Sequence, residues 1–198
     1  MAGLSSPEDV LITELKEIHS AEKQLSRVLP RLSKKITSDS LKEMLDQRLE
    51  QGESLIGNIE EALEELEAPK AKIKNIAAEG LIEDTTNHLD EIEDERLIDP
   101  VLLASVQKIE HYCIASWGTA AALGRLLGND KVVETMEQVL EEGKQFDEEM
   151  TKLAEEEINP AILSGEEEEE DGDEGGEEEE QSSRSRSGRG KSSRNGRR

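Results

Sequence analysis

Apolar residues recur every three or four positions along four long segments of the chain, which is the spacing of one face of an α-helix. The four segments are residues 5–36, 37–69, 99–128 and 129–160. A shorter segment, residues 75–95, lies between the second and the third and reads as a connecting helix. The pattern therefore predicts an all-α chain with four long helices and one crossover helix.

Residues that favour helix starts and stops mark the ends of these segments. Ser6 followed by Pro7 is typical of an N-cap and a first helical position, and Pro30 predicts a kink or break in the first helix. Ser40 with Glu43 resembles the capping box of the second helix. The remaining boundary signals are Pro69, Asp99 with Pro100, Gly128, and Asn159 with Pro160. Long helix pairs that are separated by a crossover predict a four-helix bundle.

The periodic pattern ends after Leu163. Residues 166–180 contain twelve acidic and no basic side chains, and residues 184–198 contain seven basic and no acidic ones. Such sequences cannot bury enough apolar surface to offset the entropy of ordering the chain. We therefore expect a bundle domain over residues 1–163 and a disordered, acidic then basic tail over residues 164–198. The basic block is suited to a weak contact with an anionic partner, such as nucleic acid or lipid, and the alternative is a solubilising tail without a dedicated partner.

The composition limits the core and argues against several classes of protein. Only 33% of the residues are hydrophobic and 2% are aromatic, so the core must consist of aliphatic side chains between helices. The net charge of -24 argues against nucleic acid as the main ligand, because an acidic body repels phosphates. Cys113 is the only cysteine, so no disulfide can form within the chain. Since we find no secretory signal and no apolar run long enough to cross a membrane, we expect a cytoplasmic protein without membrane insertion.

Two carboxylates interrupt apolar stripes that should face the core. Glu22 lies four residues after Ile18 and three before Leu25, and Glu110 lies three residues before Cys113. An unpaired buried carboxylate costs several kcal/mol, so each of the two needs a cation, a shared proton or a metal ion. Three further acids lie towards the inner side of the other two long helices: Glu50, Glu53 and Asp147.

Acids that converge from four helices favour a metal centre. Carboxylates that face one another in a core repel unless they are protonated or bridged by cations. Carboxylate oxygens suit hard or borderline divalent ions, so we predict that the chain binds iron or manganese, one or two ions per chain. A single Glu at the edge of a stripe more often reaches solvent or pairs with a lysine, and this interpretation stays open, above all for Glu50 and Glu53.

The sequence also resembles a known family. The blocks HSAEKQL, EGLIED, QKIEHYCIASWGT and AALGRLLG, in this order, are similar to the YciE/YciF-type ferritin-like proteins, also called domain of unknown function 892. The resemblance extends from about Glu8 to Ala154. It implies a ferritin-like four-helix bundle with an extra helix between the second and third helices, assembled as a homodimer or a larger homo-oligomer. It further implies an association with bacterial stress responses and a di-iron-type carboxylate site.

The resemblance also implies a set of ligands and two departures from it. The positions that match the family's metal ligands are Glu22, Glu50, Glu53 and Glu110, and many members have His where this chain has Glu53. An acid is expected at both Cys113 and Gly143, whereas the acid at Asp147 remains. We therefore expect at most one tightly held metal ion per chain, with the second weak or absent.

Three functions remain open at this point. The first, which the sequence favours, is a ferritin-like stress protein with residual binding of iron or manganese, to which oxidation of iron or consumption of peroxide could be added. The second is a non-catalytic bundle that has lost its metals and acts as a structural or interaction protein in the stress response. The third is a binding protein in which the basic tail recruits an anionic partner while the bundle oligomerises. Whether the protein is an enzyme is left open.

Overall fold

The computed structural model of the protein describes residues 4–69 and 72–163. The described chain is helical and contains no β-strand, as predicted. A short 3-10 turn follows the first helix at Ser33–Lys35, and another precedes the fourth at Glu95–Leu97. The five α-helices are α1 (Pro7–Leu32), α2 (Asp39–Glu65), α3 (Ile76–Asp90), α4 (Ile98–Leu127) and α5 (Asp130–Leu153).

Helices α1, α2, α5 and α4 form a closed ring of four neighbours, and each packs against the next. Thr37, just beyond α1, donates to Asp99 at the start of α4, so these two helices run antiparallel. Ser38 at the start of α2 donates to Glu157 beyond α5, so that pair is antiparallel as well. Helix α3 lies outside the ring against α1 and α4 and carries the chain back along the bundle. This is the predicted ferritin-like four-helix bundle with an extra connecting helix between the second and third bundle helices.

The core is almost wholly aliphatic and is shared by all four bundle helices. Its two buried aromatic side chains are Trp117 of α4, which is 0% exposed, and the smaller Phe146 of α5. Representative buried side chains are Leu11, Leu15 and Ile18 of α1, Leu41, Leu45 and Ile59 of α2, Leu102 and Ile109 of α4, and Met136 and Met150 of α5. Burial of these groups is the main driving force for the bundle, since apolar surface removed from water contributes about 25 cal/mol per Å².

The helix starts confirm one capping prediction and correct another. Ser6 caps α1, and Asp9 accepts in return from the Ser6 backbone N–H, which completes a capping box. Helix α2 is capped by Ser38, whose hydroxyl oxygen accepts from the backbone of Leu41. The predicted capping box of Ser40 with Glu43 is therefore wrong, because Ser40 already lies inside the helix and donates its hydroxyl to Glu157 instead.

The helix ends confirm one predicted boundary and correct two others. Gly128 ends α4 in the left-handed conformation with φ of 66°, where a residue without Cβ is favoured. Pro30 lies inside α1, which continues to Leu32 before it turns, so the predicted break comes two residues later. Beyond α5 the chain passes through a π-helical turn at Ala154–Ile158 and stays helical to residue 163, so the stop predicted at Asn159 and Pro160 is wrong.

The tail predicted over residues 164–198 lies outside the described residues, and so do its acidic and basic blocks. Within the two described stretches, every helix is too short or too polar to cross a bilayer.

Candidate functional site

A buried arginine joins the two carboxylates that interrupt the apolar stripes. Glu22 of α1 and Glu110 of α4 are each 1% exposed, and Arg48 of α2 is 3% exposed. The Arg48 Nη1 and Nη2 groups donate to the two oxygens of Glu22, each at 3.0 Å. Its Nε donates to Glu110 Oε2 at 2.7 Å. We call Glu22, Arg48 and Glu110 the central triad.

The spacing along α2 explains why Arg48 faces inward. It lies three residues after Leu45, four before Gly52 and seven before Leu55, and all of these are buried. The apolar residues of this segment also suggest an inner face through Leu45, Leu49 and Gly52, but Leu49 is only partly buried. Sequence reasoning missed Arg48 because arginine is rarely buried unless it is paired. The signal was nevertheless present, since the two buried carboxylates required a cation and Arg48 lies at helical spacing from known core positions.

Two glycines leave room for the central triad. A Cβ at Gly52 would lie 2.8 Å from Glu22 Oε2 and 3.1 Å from Arg48 Nη1. A Cβ at Gly143 would overlap the Trp117 ring and lie 2.8 Å from Glu110 Oε1. The Arg48 guanidinium also lies 5.3 Å from the centre of the Trp117 ring, within the range of a cation–π contact. The centre of the bundle is therefore filled by a guanidinium, two carboxylates and an indole.

The other predicted ligands do not join the central triad. Glu50 and Glu53 are exposed, because they lie roughly 200° and 140° around α2 from Arg48 at 3.6 residues per turn. Asp147 Oδ1 instead accepts from Gln107 Nε2 at 3.4 Å and lies 3.2 Å from His111 Nε2. Among the residues that the structure describes, no group of three or more His, Cys, Asp or Glu side chains could hold a metal ion. Of the five predicted ligands, only Glu22 and Glu110 lie together in the centre.

Burial and charge set the protonation of the centre. Burial opposes the charged form of Arg48, but Glu22 and Glu110 outweigh that effect and hold its pKa well above the ordinary value. Burial raises the pKa of Glu110 despite the opposing charge of Arg48. Burial also raises the pKa of Cys113, which remains a thiol against the core. The centre thus holds a permanent guanidinium cation beside two acidic side chains.

Two buried polar atoms beside this centre have no hydrogen-bond partner among the described residues. They are Glu110 Oε1 and Trp117 Nε1. An unsatisfied buried acceptor or donor costs about 1–3 kcal/mol. Arg48 therefore satisfies Glu22 fully and Glu110 only in part.

A separate cavity of about 1130 Å³ opens between α1 and the end of α2, away from the central triad. His19 and Lys23 lie on its wall, and both contact Glu60. The hydrogen bond from Lys23, together with that from His19, lowers the pKa of Glu60 to about 2. None of the three residues of the central triad lines this cavity.

Comparison with known proteins identifies the family. The family model described as domain of unknown function (DUF892) matches residues 6–163. The chain belongs to this family. Within the DUF892 family, the chain is 37% identical to Protein YciF of Escherichia coli strain K12 over 158 residues, which are 79% of this chain and 95% of that protein.

Solved structures of similar proteins agree with the bundle. The E. coli stress protein YciF matches with a TM-score of 0.74 and 36% identity, covering 79% of this chain and 99% of that one. YcfI from Rhodopseudomonas palustris, for which a structural role has been suggested, matches with a TM-score of 0.72 and 28% identity over 76% and 96% of the two chains. A ferritin-like, diiron-carboxylate protein of Bacillus anthracis shares the fold alone, with a TM-score of 0.58 and 14% identity over 76% and 99% of the chains.

The residues of the centre do not fit the two-metal site that a ferritin-like fold implies. Arginine offers five N–H donors and no lone pair, and it stays charged, so Arg48 cannot be a ligand and would repel a metal cation. The departures expected at Cys113 and Gly143 also have a structural reason. Cys113 packs in the core, and the place of a side chain at Gly143 is taken by Trp117 and Glu110. Adding an acid at Gly143 would therefore disrupt the centre rather than restore a ligand.

Proposed function

We propose that the protein is a non-catalytic ferritin-like bundle that serves a stress response as a structural or interaction protein, without a di-metal centre. The link to stress rests on its similarity to YciF, which is named as a stress protein. The absence of catalysis rests on the central triad. In it, a guanidinium makes the contacts with the Glu22 and Glu110 carboxylates that metal ions would make in a carboxylate centre.

The observation that carries this proposal is the geometry of Arg48. Arg48 donates three hydrogen bonds to carboxylate oxygens, at distances between 2.7 and 3.0 Å. All three side chains of the central triad are buried. Removing one partner from a buried ion pair costs about 3–5 kcal/mol, because an uncompensated charge is left behind. A metal ion could bind between these carboxylates only if it displaced Arg48, and the loss of the buried ion pairs would then reduce the free energy of binding. Binding of iron or manganese, with ferroxidase or peroxide chemistry, is thus the less favoured function.

The test is the metal content of the full-length protein after expression in medium supplemented with iron or manganese. We expect well under one ion per chain after dialysis, and no oxidation of ferrous iron above the rate in buffer. Glu110→Gln should leave both values unchanged. Glu53→Gln is a matched control, because Glu53 was predicted as a ligand but is exposed. One or two ions per chain that are lost in Glu110→Gln but kept in Glu53→Gln would refute the proposal.

A second candidate function is binding of an anionic partner by the C-terminal tail. If the basic block of residues 184–198 recruits an anionic molecule, deletion of residues 164–198 should abolish binding to heparin or to anionic vesicles. The bundle alone, with its acidic surface, should bind neither. Equal binding by both forms would place the interaction on the bundle instead.

A further inference from the structure

We propose that the acidic block of the tail, residues 166–180, docks on the outward face of α1 and the turn that follows it, within the same chain. The surface that it contacts consists of Arg27, Arg31 and Lys34, which we call the basic face. This inference goes beyond the proposed function and does not depend on it, because the basic face lies on the surface of the bundle, away from the central triad.

The basic face is a local concentration of positive charge on an acidic protein. Residues 23–38 contain five basic and no acidic side chains, in a chain with 48 acidic and 24 basic ones. The three residues of the basic face follow one another at four and three positions, which places them on one side of the helix. Arg27 lies two residues after Leu25 and two before Leu29, both of which are buried, so it lies on the side opposite the core. The result is a row of cations about 10 Å long.

The cations of the basic face have no acidic partner in the described part of the chain. All three are exposed, and their side chains form no ion pair or hydrogen bond with any described residue. By contrast, the exposed Lys131 of α5 contacts both Glu61 and Glu65. The helix dipole favours a basic residue in the last turn, which accounts for Arg31 but not for Arg27. The basic face is therefore a surface with unused capacity for an anion.

The cavity beside α1 limits this surface at one end. Arg27 lies on the cavity wall. Farther along the same side of the helix, Lys23 contacts Glu60, and Lys16 donates to the backbone oxygen of Pro69. These two lysines already have partners, and Glu60 and the other acids that line the cavity would repel an anion there. The docked segment therefore ends at about Arg27.

The tail begins near the other end of the basic face. Ser38, four residues after Lys34, donates to Glu157 at 3.0 Å. The described chain ends six residues beyond Glu157, at residue 163. The acidic block spans up to about 50 Å when it is extended, which is several times the length of the basic face. It can therefore reach all three cations.

Charge and attachment favour this occupant over other polyanions. A free polyanion is repelled by a chain with a net charge of -24. The acidic block is part of the chain that it contacts, so its effective concentration is on the order of millimolar even where each contact is weak. Its twelve carboxylates also outnumber the seven basic residues of 184–198, so acids remain for α1 even when the two blocks attract each other.

The experiment is cross-linking of the full-length protein with a carbodiimide, which joins a lysine to a carboxylate in direct contact. Mass spectrometry of the peptides counts links to residues 166–180 from Lys34 and from Lys144. Lys144 is the matched control, because it is exposed on α5 and likewise has no acidic partner among the described residues. Links from Lys34 should exceed those from Lys144 and should be lost at about 1 M salt, where the Debye length is only about 3 Å. Equal links from the two lysines would overturn the proposal.

Neutralising the two arginines separates docking from mere proximity. The reagent does not couple arginine, so Arg27→Gln with Arg31→Gln removes two cations and leaves Lys34 available. Links from Lys34 should then fall about fivefold, the factor expected for two exposed ion pairs. Lys108→Gln with Lys144→Gln gives the same net charge and should leave the links from Lys34 unchanged. An arginine variant with as many links from Lys34 as the natural protein would overturn the proposal.

Arg27→Lys with Arg31→Lys keeps the charge and adds two reactive amines. Links from Lys34 should persist in this variant, and new links to residues 166–180 should appear at positions 27 and 31. Absence of the new links would overturn the proposal. This variant also decides the question if the glutamine variant does not fold.

Other occupants of the basic face give different results. Mixing chains of normal and heavy isotope content before cross-linking separates links within one chain from links between two. A majority of links between two chains would assign the basic face to the tail of a second copy. Links that form only after nuclease treatment would assign it to nucleic acid. Either result would overturn docking within the chain.

Discussion

The substitution Gly143→Ala tests how tightly the centre of the bundle is closed. A Cβ at this position would overlap the ring of Trp117 and lie 2.8 Å from Glu110 Oε1. Trp117 is 0% exposed, and Glu110 is bound to Arg48. Neither neighbour can move aside without disturbing the core or the central triad, so the added methyl group must strain the structure.

Two effects of opposite sign determine how much Gly143→Ala changes the free energy of unfolding. Replacing Gly by Ala inside a helix gains up to about 1 kcal/mol of helix propensity. Forcing an extra carbon into a packed core costs about 1–3 kcal/mol and occasionally more. Because the contact involves a rigid ring and a held carboxylate, we place the cost at or above the upper end of that range. The net loss should be about 2 kcal/mol, which lowers the melting temperature by roughly 4–8 °C for a domain of this size.

Urea unfolding followed by circular dichroism measures this loss, and Gly57→Ala is the matched control. Gly57 lies on the exposed side of α2, and a Cβ there would meet nothing within 4 Å. The control should therefore be stabilised by up to about 1 kcal/mol from helix propensity alone. Adding Trp117→Leu to Gly143→Ala should cost less than the sum of the two single changes, since the overlap is relieved. If Gly143→Ala is as stable as Gly57→Ala, Trp117 and Glu110 have room for the added methyl group, and the steric argument is refuted.

Three further predictions concern the central triad and its surroundings. Arg48→Met should lose about 3–5 kcal/mol in urea unfolding, because two buried carboxylates lose their cation, and the triple variant with Glu22→Gln and Glu110→Gln should regain much of it. No recovery in the triple variant would mean that packing, not charge, dominates. Burial raises the pKa of Glu110, so the folded state keeps this proton to higher pH than the unfolded chain does. The resulting stability is complete below the ordinary carboxyl pKa of 4.5 and is lost as the pH rises through the folded pKa. Between about pH 4 and pH 7, the free energy of unfolding of the natural protein should therefore fall relative to that of Glu110→Gln. A difference between the two proteins that does not change with pH would contradict this. Burial raises the pKa of the Cys113 thiol, so Cys113 should react with a thiol reagent only after unfolding, whereas fast labelling of the native protein would show that the core opens.

Much of the fold follows from local rules that the sequence displays. Helical spacing of apolar residues predicted all five helices, because each bundle helix must bury one face. Strong local signals, such as Ser6 before Pro7 and Gly128 after α4, were confirmed as caps. The errors lie where tertiary contacts override local preference. Ser40 contacts Glu157, more than a hundred residues away in the sequence, and no capping rule anticipates such a partner.

The centre of the bundle was predicted only in part, for a physical reason. The buried carboxylates Glu22 and Glu110 were recognisable, since each interrupts an apolar stripe, and so was their need for a cation, a proton or a metal. Choosing among these required knowing which side chains face each other. A shift of the inner face of α2 by about one residue brings Arg48 into the centre and turns Glu53 to solvent. Periodicity locates a helix face only to within about one position, which was too coarse for this decision.

The cation in the centre of this bundle is encoded by the gene. Because this cation is the Arg48 side chain, every newly synthesised chain contains it, and no uptake system, metallochaperone or storage pool has to supply it. It cannot be chelated, exchanged for a competing ion during metal overload, or withheld during starvation. A bundle built around Arg48 can therefore reach its folded form under the very conditions of metal imbalance and oxidation in which an ion-dependent relative would be short of its central atom.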